Sequence, residues 1–279
     1  MKLSPEELRK ETLTPETFES AVKQIALDGY VTFESVLPRN FVDELHASVS
    51  QRLGYYLETS PETVEVNTKP FRKNRVRMDL PFEYPFIDPQ IITHPLILPI
   101  IEEILGDDCQ CFYLACDAPL PGSDYQVVHS DAPPLFPHSS LTLPPVGIVV
   151  NIPLIDVREE NGPMEIWPGG THLMPENLNK PEHIEQASQE IQPKRVLTPV
   201  GSLLLRDLRM WHRGSPNHSN VIRPNLALIY ARSWWRGDHY SKIRSIPRVT
   251  YDALSERAKR LFRYIEITDE PVPSLSDSQ

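Results

Sequence analysis

The chain has 279 residues, 40% of them hydrophobic, and a formal net charge of −10. This supports one large core and argues against a general nucleic-acid partner, which needs a basic surface; no apolar stretch reaches the roughly 20 residues that span a bilayer. Met1 to Glu7 lacks the apolar run of a signal peptide, and the closely spaced Cys109, Cys111 and Cys116 suit reduced strand thiols, so a cytoplasmic protein is expected.

Pro15 to Leu27 is predicted to be a helix. Thr14 stands at its N-cap and Pro15 at the first helical position, with Phe18, Val22, Ile25 and Ala26 on one face. Asn40 to Leu53 and Pro95 to Leu105 read as further helices. Between them lies the most basic short run, Arg72, Lys73, Arg75 and Arg77. It is either a solvated face or, through the alternation Arg75-Val76-Arg77-Met78, a strand with both arginines on one side.

From about Cys111 onward strands and turns dominate, with a partly helical polar insert over Asn177 to Gln192 and a polar tail from Pro271 to Gln279. Proline, 29 residues in all, gathers in loops such as Ala132 to Pro137 and stiffens them by fixing φ. The expected architecture is α+β with a double-sheet jelly-roll core. A single domain is expected, with a helical part over 1–110, the core over 111–245 and a C-terminal extension over 246–279.

The chemistry concentrates in that core. Asp124 to His129 has strand composition, and His129 and Asp131, two apart on a strand, project from one face. His212, after the strand-like Leu203 to Asp207, completes a set of two histidines and one carboxylate. That is the ligand set of non-haem Fe(II) oxygenases. Arg223, ahead of the apolar run Leu226 to Ala231, can supply a bidentate cation for the far carboxylate of an oxo-acid cosubstrate.

Asp28 to Phe33, His94 to Gly106, the His129-Ser130-Asp131 triplet, Glu160 to His172 and His212-Arg213-Gly214-Ser215 with Arg223 resemble, in order and spacing, the phytanoyl-CoA dioxygenase family of Fe(II)/2-oxoglutarate oxygenases. The resemblance covers most of the sequence. It implies Fe(II) on His129, Asp131 and His212, with 2-oxoglutarate and dioxygen as co-reactants. A carbon–hydrogen bond of a small organic molecule would be oxidised, with succinate and CO2 released. A carboxylate at Asp131 favours oxygenation over halogenation, because related halogenases carry a small residue there.

Cosubstrate binding would involve Arg223, Asn151 and Ser215, although the offset from Arg223 points to Gly214 instead of Ser215. Asn151 reads equally as a side chain bonded to neighbouring backbone. Arg75, Arg77 and Trp235 are candidates for substrate contact, the last because Trp234-Trp235-Arg236 continues the strand after Arg223; core packing is the alternative for Trp235. The rival function is another metal-dependent cupin, a hydrolase or isomerase with a bound-water metal, or a non-catalytic binding module. Neither needs a dedicated cosubstrate clamp. Oligomeric state and substrate identity are not legible.

Overall fold

Capping chemistry starts the chain. Ser4 Oγ accepts from Glu7 N while Glu7 Oε2 accepts from Ser4 N, a capping box that opens α1 (Pro5–Lys10). Thr14 caps α2 (Pro15–Asp28), which ends at Gly29 with φ 82°, a left-handed conformation natural to glycine. The computed structural model describes residues 1–59, 74–235 and 245–270.

Among the described residues six more α-helices and eleven strands follow or intervene. In chain order the strands are β1 (Tyr30–Phe33), β2 (Arg75–Asp79), β3 (Gln110–Pro119), β4 (Gly147–Pro153), β5 (Met164–Ile166), β6 (Lys194–Val196), β7 (Leu203–Asp207), β8 (His212–Gly214), β9 (Asn225–Ala231), β10 (Ser245–Pro247) and β11 (Glu266–Thr268). The major helices on the N-terminal side are α3 (Arg39–Thr59) and, after a single turn α4 (Pro89–Ile92), α5 (Leu98–Leu105). The predicted helix from Pro95 begins later because His94 O first closes a turn with Ile97 N and Leu98 N. The polar insert contains α6 (Pro181–Ala187).

Six strands form one antiparallel sheet in the order β1-β7-β4-β9-β3-β2, and three form a second in the order β6-β5-β8. Period-2 alternation divides the large sheet cleanly. Ile148, Val150 and Ile152 of β4 and Leu226, Leu228 and Tyr230 of β9 join the helices in the main apolar cluster. Val149, Asn151, Ala227 and Ile229 face the other way, into the space between the sheets. Tyr30 and Leu204 of the large sheet meet Ile166 and Val196 of the small one, closing the sandwich. This is the double-stranded β-helix that was expected. The segment over 1–110 is more than helical, since it supplies β1 and β2 to the large sheet.

Two expectations change. Asp124 to His129 does not form a strand; it makes one isolated bridge, His129 with His212. Its ladder groups are diverted, Asp124 O to the Arg75 guanidinium and Tyr125 N to the Asp124 carboxylate. The chain also leaves β9 after Ala231, in a turn closed by Trp235 N to Arg232 O, so Trp235 does not continue that strand. Arg72, Lys73, Arg236 and the tail from Pro271 lie outside the described residues.

Candidate metal and cosubstrate site

The three expected ligands come from two segments that lie side by side. His129 and His212 exchange backbone hydrogen bonds of 3.0 Å each way, while Asp131 N donates to Leu208 O in the turn ahead of β8. The ligand atoms of His129, Asp131 and His212 lie within 4.8 Å of one another. His212 Nε2 is 3.4 Å and His129 Nε2 3.7 Å from the Asp131 carboxylate.

Each ring is held in a ligating orientation. His129 Nδ1 lies 2.8 Å from Val127 O and His212 Nδ1 3.0 Å from Met210 O. A carbonyl accepts only, so Nδ1 carries a proton in both rings and the Nε2 atoms are the ones turned towards Asp131. Burial, reinforced by Arg206, pushes the pKa of His212 well below the usual imidazole range and keeps it neutral. Burial alone would raise the Asp131 carboxyl. Arg206 and the two histidines outweigh it and hold the group well below the usual carboxylate range. Two imidazoles and an ionised carboxylate are a donor set that fits Fe(II).

A cavity opens beside the triad. Its polar lining includes Arg75, Arg77, Tyr113, Asp117, Gln126, Asn151, Arg206, Arg223 and Asn225. Arg223 is buried, and its Nε has no hydrogen-bond partner among the described residues. Burial first, then the neighbouring Arg75, lowers its pKa to about 10. A buried cation with an unpartnered N–H is costly, Asp117 offsets only part of the effect of burial on it, and a carboxylate arriving in the cavity would relieve that cost.

The matching family is that of phytanoyl-CoA dioxygenase (PhyH), whose profile covers residues 25–225, well over half of the chain. The chain belongs to the phytanoyl-CoA dioxygenase family. It is therefore an oxygenase of the Fe(II)/2-oxoglutarate-dependent class. Solved structures share the fold. The non-heme alpha ketoglutarate dependent epimerase SnoN from nogalamycin biosynthesis, in complex with Fe3+, alpha ketoglutarate and nogalamycin RO, matches with TM-score 0.60 and 18% identity over 81% of this chain and 89% of that one. The carbocyclase SnoK from the same biosynthesis matches with TM-score 0.54 and 18% identity over 80% and 85%.

Other expected positions divide. Asn151 faces the cavity on β4, its Oδ1 accepting from Arg206 Nε at 3.3 Å instead of bonding its own backbone. Arg75 and Arg77 share the cavity face of β2. Arg75 donates to Asp124 O and Ser215 O, and Arg77 Nε to Asp117 Oδ1 at 2.9 Å. The Ser215 hydroxyl donates to Pro163 O at 2.7 Å, and Gly214 is the one of the two that lines the cavity. A Cβ on Gly214 would collide with the Arg75 guanidinium and come 2.7 Å from Gln126 Oε1. Trp235 packs in an apolar cluster with Phe112 and Leu208, the alternative given for it above.

Arg206 and Asp117 are site residues that the sequence patterns did not single out. Arg206 and Asp207 are adjacent charges closing an apolar strand, and charged residues are rarely buried without partners. That oddity was the available signal for Arg206. Asp117 carried none, because its partner Arg77 sits on a strand far away in sequence.

Proposed function

We propose that this dioxygenase hydroxylates an unactivated carbon–hydrogen bond of a small organic molecule. His129, Asp131 and His212 would hold Fe(II), and Arg223 would bind the C5 carboxylate of 2-oxoglutarate. Bound together and supplied with dioxygen, iron and 2-oxoglutarate provide the oxidising power, with succinate and CO2 as by-products. The observation that carries this reading is the buried Arg223, its Nε without a hydrogen-bond partner among the described residues, in the same cavity as the triad. A hydrolytic metal site has no use for such a cation.

The remaining residues have defined tasks. Asn151 turns its Nδ2 donors away from Arg206 and offers them to the cosubstrate. Arg77 and Asp117, with side chains 32% and 40% exposed, stand at the more open side of the cavity. Arg77 has one edge on Asp117 and can direct its other N–H groups at an anionic substituent of the substrate. Arg75, held by two backbone carbonyls, adds positive potential beside Arg223. The epimerase and carbocyclase neighbours indicate that substrate placement decides the outcome once the carbon–hydrogen bond is broken.

The test is succinate formation from 2-oxoglutarate with Fe(II) across a panel of neutral and acidic small molecules. Turnover should vanish with a chelator and return with added Fe(II), and oxygen from dioxygen should appear in the product. Failure of the Fe(II)-loaded protein to bind 2-oxoglutarate would refute the cosubstrate assignment. A product of unchanged oxygen content would refute hydroxylation alone.

A further inference from the structure

Arg206 lies on the cavity face of β7, between Tyr30 of β1 and Val149 of β4, and is 4% exposed. Its guanidinium reaches two groups of different purpose. Nη2 donates to Oδ2 of Asp131, and Nε donates to Oδ1 of Asn151 at 3.3 Å. Its Nη1 also lies 3.5 Å from His212 Nδ1; that ring nitrogen is already committed to Met210 O, so this contact is packing and not a hydrogen bond.

We propose that Arg206 is a positioning residue that sets the metal-binding carboxylate and the cosubstrate-binding amide together. Both contacts follow from donor chemistry. A guanidinium only donates, so Asn151 must turn its oxygen to Arg206, and its Nδ2 then faces the cavity. No protein partner for that Nδ2 exists among the described residues. In the same way, the hydrogen bond from Arg206 Nη2 to Asp131 Oδ2 fixes how the carboxylate is turned towards the two histidines. The planar fork matters because two donors at a fixed angle reach two acceptors at once, which a lysine ammonium cannot reproduce with the same geometry. The proposal rests on the reading of the triad as a metal site and, for its Asn151 half, on 2-oxoglutarate as cosubstrate.

The experiment uses Co(II) as the metal, titrated into the full chain, followed by 2-oxoglutarate titrated into the Co(II)-loaded protein without turnover. Arg206→Lys keeps the charge and so isolates the loss of the fork; thermal unfolding verifies that it is folded. Should it fail to fold, Arg206→Gln replaces it in the same titrations. Co(II) affinity should fall about tenfold, the lower end of what loss of a ligand-orienting partner produces, with an altered visible spectrum of the bound ion. The 2-oxoglutarate dissociation constant should rise as well. Asn151→Ala should raise it in the wild-type background but add little to Arg206→Lys, because coupled residues are non-additive.

Co(II) affinity and spectrum equal to wild type in the variant would overturn the carboxylate half, and additive effects on 2-oxoglutarate would overturn the coupling. If the wild-type Co(II) protein ignored 2-oxoglutarate, the cosubstrate reading and the Asn151 half would fall together, and the metal titration would still decide the rest.

Discussion

At the scale of single residues, the site is organised by arginines whose partners differ in kind. Arg77 meets a carboxylate, Arg206 a carboxylate and an amide, Arg75 backbone carbonyls, and Arg223 no hydrogen-bonding group among the described residues. Arg223→Ala should therefore raise the KM for 2-oxoglutarate by a factor equivalent to at least about 2 kcal/mol, roughly thirtyfold, as expected for a desolvated charge pair. Steady-state kinetics at saturating substrate measures this, and an unchanged KM would remove Arg223 from the cosubstrate site. His212→Ala should lose stoichiometric iron and Fe(II)-dependent decarboxylation with circular dichroism retained; metal analysis checks it. The triad was legible in the sequence because His129 and Asp131 stand two apart and His212 follows a strand-like run. Arg206 was not, since only the pairing of β7 with β4 reveals which acceptors it reaches.

At the scale of elements, β8 has three residues yet carries a candidate ligand, His212, and Gly214. Gly214→Ala drives a methyl group into the buried Arg75 and into Gln126, whose Oε1 accepts from Gly214 N at 2.8 Å. Overpacking of this kind costs typically 1–3 kcal/mol; urea denaturation should register the loss, and an unaltered midpoint would mean that Arg75 moves aside freely. A second element-level prediction concerns the turn ahead of α5. Burial lowers the pKa of His94 to about 4, and its Nδ1 accepts from Leu96 N. The unfolded chain, with an ordinary histidine near 6.5, binds the proton more readily than the fold does. His94 therefore stabilises fully above pH 6.5, and that contribution is lost as pH falls from 6.5 towards 4, by up to about 3 kcal/mol. His94→Asn keeps an acceptor but cannot titrate, so its unfolding free energy should be flatter over that window; identical pH profiles would contradict the assignment. Helices were readable where caps and periodicity agreed, as at α2. Asp124 to His129 misled because strand composition says nothing of which side chain captures a carbonyl.

At the scale of the molecule, apolar runs marked Leu203 to Asp207 and Leu226 to Ala231 as strands, but not that β1, near the N-terminus, pairs with β7 across Tyr30 and Arg206. Partner choice is a long-range property, and hydrophobic pattern carries little of it. One local feature has a global consequence. The ligand-bearing segment 129–131 is tied to β8 and its preceding turn by one isolated bridge and the Asp131–Leu208 bond, without a continuous ladder. An ion gripping His129, Asp131 and His212 would act as a rivet across that seam, completing mechanically what the backbone leaves thinly joined. Without the ion, the amides of His129, Asp131 and His212 should exchange hydrogen with solvent through local opening, well before β4 or β9 does. Mn(II) at a hundredfold excess over its dissociation constant should then raise global stability by about 2.7 kcal/mol and protect those three amides most. Uniform protection across the sandwich, or none at the seam, would show that the two segments are joined as firmly without metal as with it.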